Sequence, residues 1–154
     1  YKSVMDPSLV DYARGVLRRG TEVEQMMKVV GEEGTSLDDF ALYLKGNFLD
    51  AVYLQQNSFD PVDAAVSTER QRHLFALIIE VLGSSFGFAD KDEARAWFNK
   101  ARLLFIDYNY AEWKSDNFIR LEKEIRVAMN DKATGFDEVA EKLIGRSQLV
   151  KGAE

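Results

Sequence analysis

Leu37, Phe40, Ala41, Leu44, Phe48, Ala51 and Val52 fall mostly three or four residues apart, the spacing that lines one side of an α-helix. The same period recurs along most of the chain. Leu74, Leu77, Ile78 and Val81 make a second stripe. Ala94, Trp97, Phe98, Ala101, Leu104, Phe105 and Tyr108 make a third, and Phe118, Leu121, Ile125 and Met129 a fourth. Strict alternation of apolar and polar residues is missing, and no Asn-Gly or Asp-Gly turn joins two alternating runs. The pattern predicts an all-α fold, a helical bundle of about six to eight helices.

Capping chemistry sets the expected boundaries. Asp6-Pro7 reads as an N-cap with proline in the first turn, and Gly20 as the stop. Thr21 and Glu24 have capping-box spacing, opening a short second helix through Val23, Met26, Met27 and Val30 to Gly31. Residues 31–34 form a loop, and Ser36 caps the next helix. That helix ends near Asn57, because Pro61 drives Asp60 out of the α region. Ser67 caps the following one and Gly83 stops it, with 83–88 as a connector. Asp90 and Glu93 start a long helix. On the helix after it, Glu122 with Arg126 and Arg120 with Glu124 stand at i,i+4. A last helix is expected over 136–144, with Gly145 onward as a frayed tail. The whole, 1–154, reads as one domain with 146–154 as that tail.

Composition narrows the possible roles. Hydrophobic residues make up 46% of 154, enough for a real core in a single domain. The longest apolar run, Leu74-Phe75-Ala76-Leu77-Ile78-Ile79, is far short of the roughly 20 residues of a membrane helix. A net charge of −6 argues against a nucleic-acid partner, which needs clustered Lys and Arg. There is no cysteine, hence no disulfide or thiolate metal site, which suits a reducing cytosol. No secretory leader is visible. The chain opens Tyr1-Lys2-Ser3 without methionine, so a processed protein or a piece of a longer one is expected.

A search for chemistry returns little. Gly31-Glu32-Glu33-Gly34-Thr35 lacks the Gly-Lys-Ser/Thr ending of a phosphate loop and reads as a connector. Asp90-Lys91-Asp92 opens like a calcium loop, but Arg95 stands where the loop needs glycine. Asp60 and Asp63 flank Pro61 as an ordinary turn. His73 is the only histidine, so no zinc cluster or Ser-His dyad can form from this chain alone. Glu80 interrupts an apolar run, but its helical phase places it on a solvated flank. Trp97, Phe98, Phe105 and Tyr108 sit at core spacing. The cluster at 108–113 is wider than one stripe can bury, and part of it could form a contact surface.

One stretch stands apart: Tyr53-Leu54-Gln55-Gln56-Asn57-Ser58-Phe59-Asp60-Pro61-Val62-Asp63. Side-chain amides donate and accept at once, and a neighbouring phenylalanine offers a flat apolar face. Together they suit a planar heteroaromatic ligand such as a nucleobase. The competing reading is a polar helix end with Phe59 tucked into the core.

Residues from about Ala13 to Leu82 resemble the C-terminal helical region of the catalytic A subunit of V-type and archaeal-type rotary ATPases. Three segments carry the resemblance: Glu22-Val23-Glu24-Gln25-Met26-Met27-Lys28-Val29-Val30-Gly31, the stretch 53–63, and Glu69-Arg70-Gln71. The middle one is similar to a Leu-Gln-Gln-Asn-x-Phe-Asp-x-Val-Asp signature. The resemblance implies that Phe59 and Ser58, with Asn57 and Gln56 as neighbours, help to enclose adenine. Family members often carry alanine where this chain has Ser58.

By the same resemblance, ATP or ADP with Mg2+ binds in the parent subunit and none to this fragment alone. The phosphate loop and catalytic carboxylate lie in an upstream nucleotide-binding domain of the same chain. B subunits and a central stalk are the implied partners, ion transport the coupled process, and the cytoplasmic side of a membrane the implied location, without direct insertion. The loops 31–35 and 83–92 are the candidates for touching the rotor. The alternative is a stand-alone helical adaptor that binds a partner helix near 108–113.

Overall fold

A computed structural model describes residues 7–54 and 64–153, without the side chains of 54, 64–67 and 146–153. It holds six α-helices and a small sheet among these residues. In order they are α1 (Pro7–Val30), α2 (Leu37–Leu49), a π turn (Asp50–Leu54), α3 (Ala64–Gly83), β1 (Ser84–Phe86), α4 (Lys91–Tyr110), α5 (Asp116–Lys132), β2 (Ala133–Phe136) and α6 (Glu138–Ala153). No helix of the described residues is long and apolar enough to cross a membrane.

α1 is one uninterrupted helix, not two. Its buried residues are Leu9, Ala13, Val16, Gly20 and Val23, a period that runs straight through the glycine expected to end it. Gly20 is there for proximity. A Cβ on it would lie 3.1 Å from the Leu42 carbonyl oxygen and 3.4 Å from the Gly46 Cα, so α2 crosses backbone against backbone. Thr21 caps nothing; its hydroxyl donates back to the Leu17 carbonyl at 3.0 Å. The real stop is Gly31, whose φ of 80° only glycine adopts cheaply.

Ser36 accepts from the Asp39 N–H at 3.1 Å and starts α2 as expected. Asp90 does the same for α4, accepting from the Glu93 N–H at 2.8 Å. Ser115 caps α5 through the Phe118 N–H at 3.1 Å. Ser67, expected to cap α3, lies inside it. The helix begins at Ala64, since two alanines are good helix formers and nothing in Ala64-Ala65-Val66 breaks the turn.

The C-terminal half of α3 is the centre of the core. Leu77, Ile78, Ile79 and Val81 are each at most 1% exposed, so this segment is covered on nearly every side. Phe48 of α2 meets Phe105 of α4 edge-on at 5.1 Å and Phe98 at 6.0 Å. The expected faces of α4 and α5 are the observed ones: Trp97, Phe98, Phe105 and Tyr108 are buried, as are Phe118, Leu121, Ile125 and Met129.

A short strand, β1, replaces part of the expected 83–88 connector, and a second, β2, precedes α6. β1 and β2 pair antiparallel, Ser84 opposite Phe136 and Ser85 opposite Gly135, with a register shift before Phe86. Backbone bonds from Asp137 N to Gly83 O (2.7 Å) and Gly87 N to Lys132 O (2.8 Å) continue the join. Gly83 makes room for α6, because a Cβ there would fall 2.8 Å from that of Ala140. Phe136, expected to open the last helix, belongs to β2, and α6 starts at Glu138.

Candidate functional site

α2 passes into the π turn, which holds Tyr53 and Leu54, the first two residues of the stretch 53–63. Here the backbone ladder steps from i−4 to i−5, so one residue more than an α-helix needs is accommodated. Val52, within this turn, is wholly buried, and its carbonyl accepts from the Asn109 side-chain amide at 3.0 Å. Tyr53 packs its ring on Phe75 of α3, centroids 4.9 Å apart. Gln56, Asn57, Ser58 and Phe59, the expected adenine wall, lie outside the described residues, as do Asp60 and Asp63.

The chain returns in α3, where Arg70 reaches the end of α4. Its guanidinium donates to the Tyr108 carbonyl at 3.2 Å and to the Asn109 carbonyl. These oxygens belong to a last helical turn short of N–H partners, and the cation faces the negative end of the helix dipole.

One turn further along α3, His73 Nε2 stands 2.5 Å from Glu122 Oε1, a contact that needs its proton when Glu122 is ionised. The Tyr108 hydroxyl donates to the same oxygen at 2.8 Å, and Arg126 holds the other at 3.3 Å. Burial alone would raise the Glu122 carboxyl. The hydrogen bonds from His73, Tyr108 and Arg126 outweigh it and hold the carboxyl below its ordinary range. Burial, then the bond to Glu122, raises the Tyr108 phenol. Glu80 pairs with Arg126 at 3.3 Å on the solvated flank where its phase put it. This network ties α3, α4 and α5 together, each of its polar groups engaged with another.

Among the described residues no group of three or more His, Cys, Asp or Glu side chains could hold a metal ion. Asp90 is spent as a helix cap, and Asp92 pairs with Arg95 at 2.9 Å. A cleft of about 320 Å³ opens between α2 and α4, with Asn47, Asp50, Arg95 and Arg102 on its walls and Phe48 and Phe98 in its floor. The 108–113 cluster divides. Tyr108 is buried, Trp113 packs edge-on against His73 and Phe118, and Tyr110 stays 77% exposed.

The two loops left as alternatives for a rotor contact are neighbours. Lys91 at the head of α4 donates to the Glu32 carbonyl at 2.5 Å, and Arg95 pairs with the Glu32 carboxylate at 2.6 Å. Both cations also lie over the Phe40 ring. Beside them α1 ends in an apolar knob, with Val29 85% and Val30 50% exposed.

Sequence reasoning missed Asn109 and Arg70 as anchors. Arg70 was visible only as part of the family-like Glu69-Arg70-Gln71, and Asn109 only as a polar interruption in an aromatic cluster. Their joint role depends on contacts 39 and 57 residues apart, which no local pattern encodes.

A family model described as the C-terminal domain of V and A type ATP synthase matches residues 7–84. The chain is similar to the V-type ATP synthase alpha chain of Treponema denticola, 60% identical over 144 residues, 94% of this chain and 24% of the relative. It is 56% identical to alpha chain 1 of Treponema pallidum over the same shares. To the alpha chain of Borreliella burgdorferi it is 48% identical over 132 residues, 86% of this chain and 23% of that one. The chain thus spans about a quarter of the length of the curated relatives it matches. No solved structure matches it.

Proposed function

Because this chain belongs to the family of C-terminal domains of V- and A-type ATP synthases, we propose that it is the helical end of a catalytic subunit, closing the adenine side of a nucleotide site and passing its movements to a central stalk. The single observation that carries the adenine role is the stretch 53–63. It falls within the matched residues 7–84, and its first two residues, Tyr53 and Leu54, lie in a π turn, a device frequent at functional sites. Phe59 and Ser58 border the base, and Asn57 and Gln56 neighbour them. ATP or ADP with Mg2+ is held chiefly by an upstream nucleotide-binding domain of the same subunit. The fragment alone has no activity.

Movement at the base requires a body that tilts as one. The shared core of α2, α3 and α4 and the β1–β2 join supply that stiffness. The contact with the stalk lies at the 31–35 loop, backed by the head of α4 through Glu32 and presenting Val29 and Val30. B subunits flank the domain in the complex, whose work drives or is driven by ion transport across a membrane. This domain sits on the cytoplasmic side, beside the bilayer and not in it.

Phe59→Ala in the full-length subunit tests the reading. Losing one aromatic face from the base should cost about 1 kcal/mol, roughly fivefold in the Kd for Mg-ADP. Equilibrium titration with a fluorescent adenine nucleotide measures it, and an unchanged Kd would overturn the adenine assignment.

A further inference from the structure

α4 carries a second seam, on the side turned away from the core. Its inner face holds the buried Trp97, Phe98, Phe105 and Tyr108. On the opposite side Ala96, Asn99, Leu103, Ile106 and Tyr110 follow at steps of three and four residues in turn, the spacing at which one helix packs along another. Leu103 is 56% exposed and Tyr110 77%; Ala96 and Asn99 are exposed and Ile106 partly so. We infer that this seam is the docking surface for an acidic amphipathic helix of another polypeptide.

The flanking charges say what covers it. Where two helices pair, the positions beside the seam face each other and select the partner through their charge. Here those positions hold Arg95, Lys100 and Arg102, all cationic. From Ala94 to Ile106 there is no acidic residue, although the whole chain carries −6. Asp107 breaks the pattern toward the C-terminal end of α4. Pairing with α4 of a second copy would set Arg95, Lys100 and Arg102 against their own kind in either direction, so the surface selects against self-association.

One of these cations is free to receive a partner. Arg95 already answers Glu32 and Asp92. The Arg102 guanidinium makes no hydrogen bond or ion pair with any described residue. It stands on the wall of the cleft between α2 and α4, together with the side-chain amides of Asn47 and Asn99, which are equally without a bond among the described residues. Asp50 is the one carboxylate among the described residues that line the cleft, and it stands on the opposite wall. Asn99 belongs to the cleft and to the seam, so the two are continuous. A glutamate of the docked helix can lay its methylenes on Phe48 and Phe98 in the floor and meet Arg102 with its carboxylate. A small anion in the cleft alone would leave Leu103 and Tyr110 bare. From Ala96 to Tyr110 the seam runs roughly 21 Å, about four turns of a partner helix. It lies beyond the residues 7–84 matched by the family model, on a different element from the α1 knob, and does not depend on the adenine reading.

A synthetic helix of about 16 residues, with leucine along its seam and glutamate beside it, is the probe, and the same helix with lysine for glutamate is its control. Each is titrated into the full-length subunit at low salt and followed by fluorescence anisotropy. The acidic helix should bind at least about tenfold more tightly than the basic one, and added salt should narrow the gap. Arg102→Glu should weaken the acidic helix about tenfold and strengthen the basic one, a reversal that general damage to the fold would not produce. Leu103→Asp should weaken both, and Lys100→Glu repeats the charge test should either variant melt early.

Failure of the acidic helix to bind overturns the proposal. So does equal affinity for the two helices, or binding indifferent to both Arg102→Glu and Leu103→Asp, which would place the probe elsewhere on the subunit. A subunit that sediments as a dimer and becomes a monomer on Leu103→Asp gives the seam to a second copy and overturns it too.

Discussion

Two glycines of one helix, about 140° apart around its axis, should respond to alanine in opposite ways. At Gly20 the new methyl meets the Leu42 carbonyl at 3.1 Å and the Gly46 Cα at 3.4 Å, both backbone atoms that move only with the helix. The helix-propensity gain of up to about 1 kcal/mol is lost to overpacking of about 1–3 kcal/mol, so Gly20→Ala should destabilise by about 1 kcal/mol. At Gly15 the nearest atom is the mobile Arg19 guanidinium at 3.6 Å, and Gly15→Ala should stabilise by about 0.5–1 kcal/mol. Urea unfolding of the two variants checks the pair of signs. Lys45 is the other residue with a measurable signature. It donates to the Ser84 carbonyl at 2.7 Å, and burial, only partly offset by Asp137, pushes its ammonium from 10.5 down to about 8. Between those values the unfolded chain keeps a proton that the folded one has released, so stability rises with pH. Tyr12 and Tyr108 act the other way. Burial first, then hydrogen bonds to Asp137 and Glu122, raise both phenols. Above about pH 10 the unfolded chain ionises its tyrosines first and the fold loses stability. The urea midpoint should therefore peak between about pH 8 and 10, and Lys45→Met should abolish the rise while leaving the fall.

At the scale of elements, helices were legible wherever an apolar stripe and a cap agreed. Ser36 and Asp90 each announced a helix whose buried face followed the 3.6-residue period, and α2 and α4 formed where they should. Two of the errors share one cause: a local signal was overruled by a partner far along the chain. Gly20 looks like a stop until α2 lies against it, and the stripe from Leu9 to Val23 then proves the stronger signal. Ser84-Ser85-Phe86 has neither the length nor the alternation of a strand, and its partner is 49 or so residues away, so no hairpin pattern could announce it. The stretch 53–63 was legible as a candidate in its odd composition. The anchors Asn109 and Arg70 were not, because a side-chain amide on a carbonyl 57 residues away and a guanidinium on a helix end are facts of three dimensions.

For the whole molecule, the boundary of the matched family region at residue 84 is not a structural boundary. It divides Phe48 from Phe98 and Phe105, and it cuts through β1, parting most of the small sheet from the matched region. Burying one such ring fully contributes roughly 1.5–3 kcal/mol, comparable with a good part of a small domain's net stability. A chain ended at residue 84 should therefore lose cooperative unfolding and self-associate through the uncovered faces of α2 and α3. Thermal circular dichroism and sedimentation of that truncation test it; a sharp two-state melt of a monomer would show the later helices to be dispensable.

The π turn at Asp50–Leu54 turns composition into arithmetic. Such a turn is what an α-helix does with one residue too many, and deleting that residue would let the ladder close in its cheaper form. Every side chain beyond it would then swing by about 100° around the axis, the angle per residue of an α-helix. Tyr53 would leave Phe75, and the Val52 carbonyl would leave Asn109. The number of residues between Ser36 and Pro61 is thus as much a specification as their identity. Shortened by one, the segment should make a steadier helix turned to the wrong side.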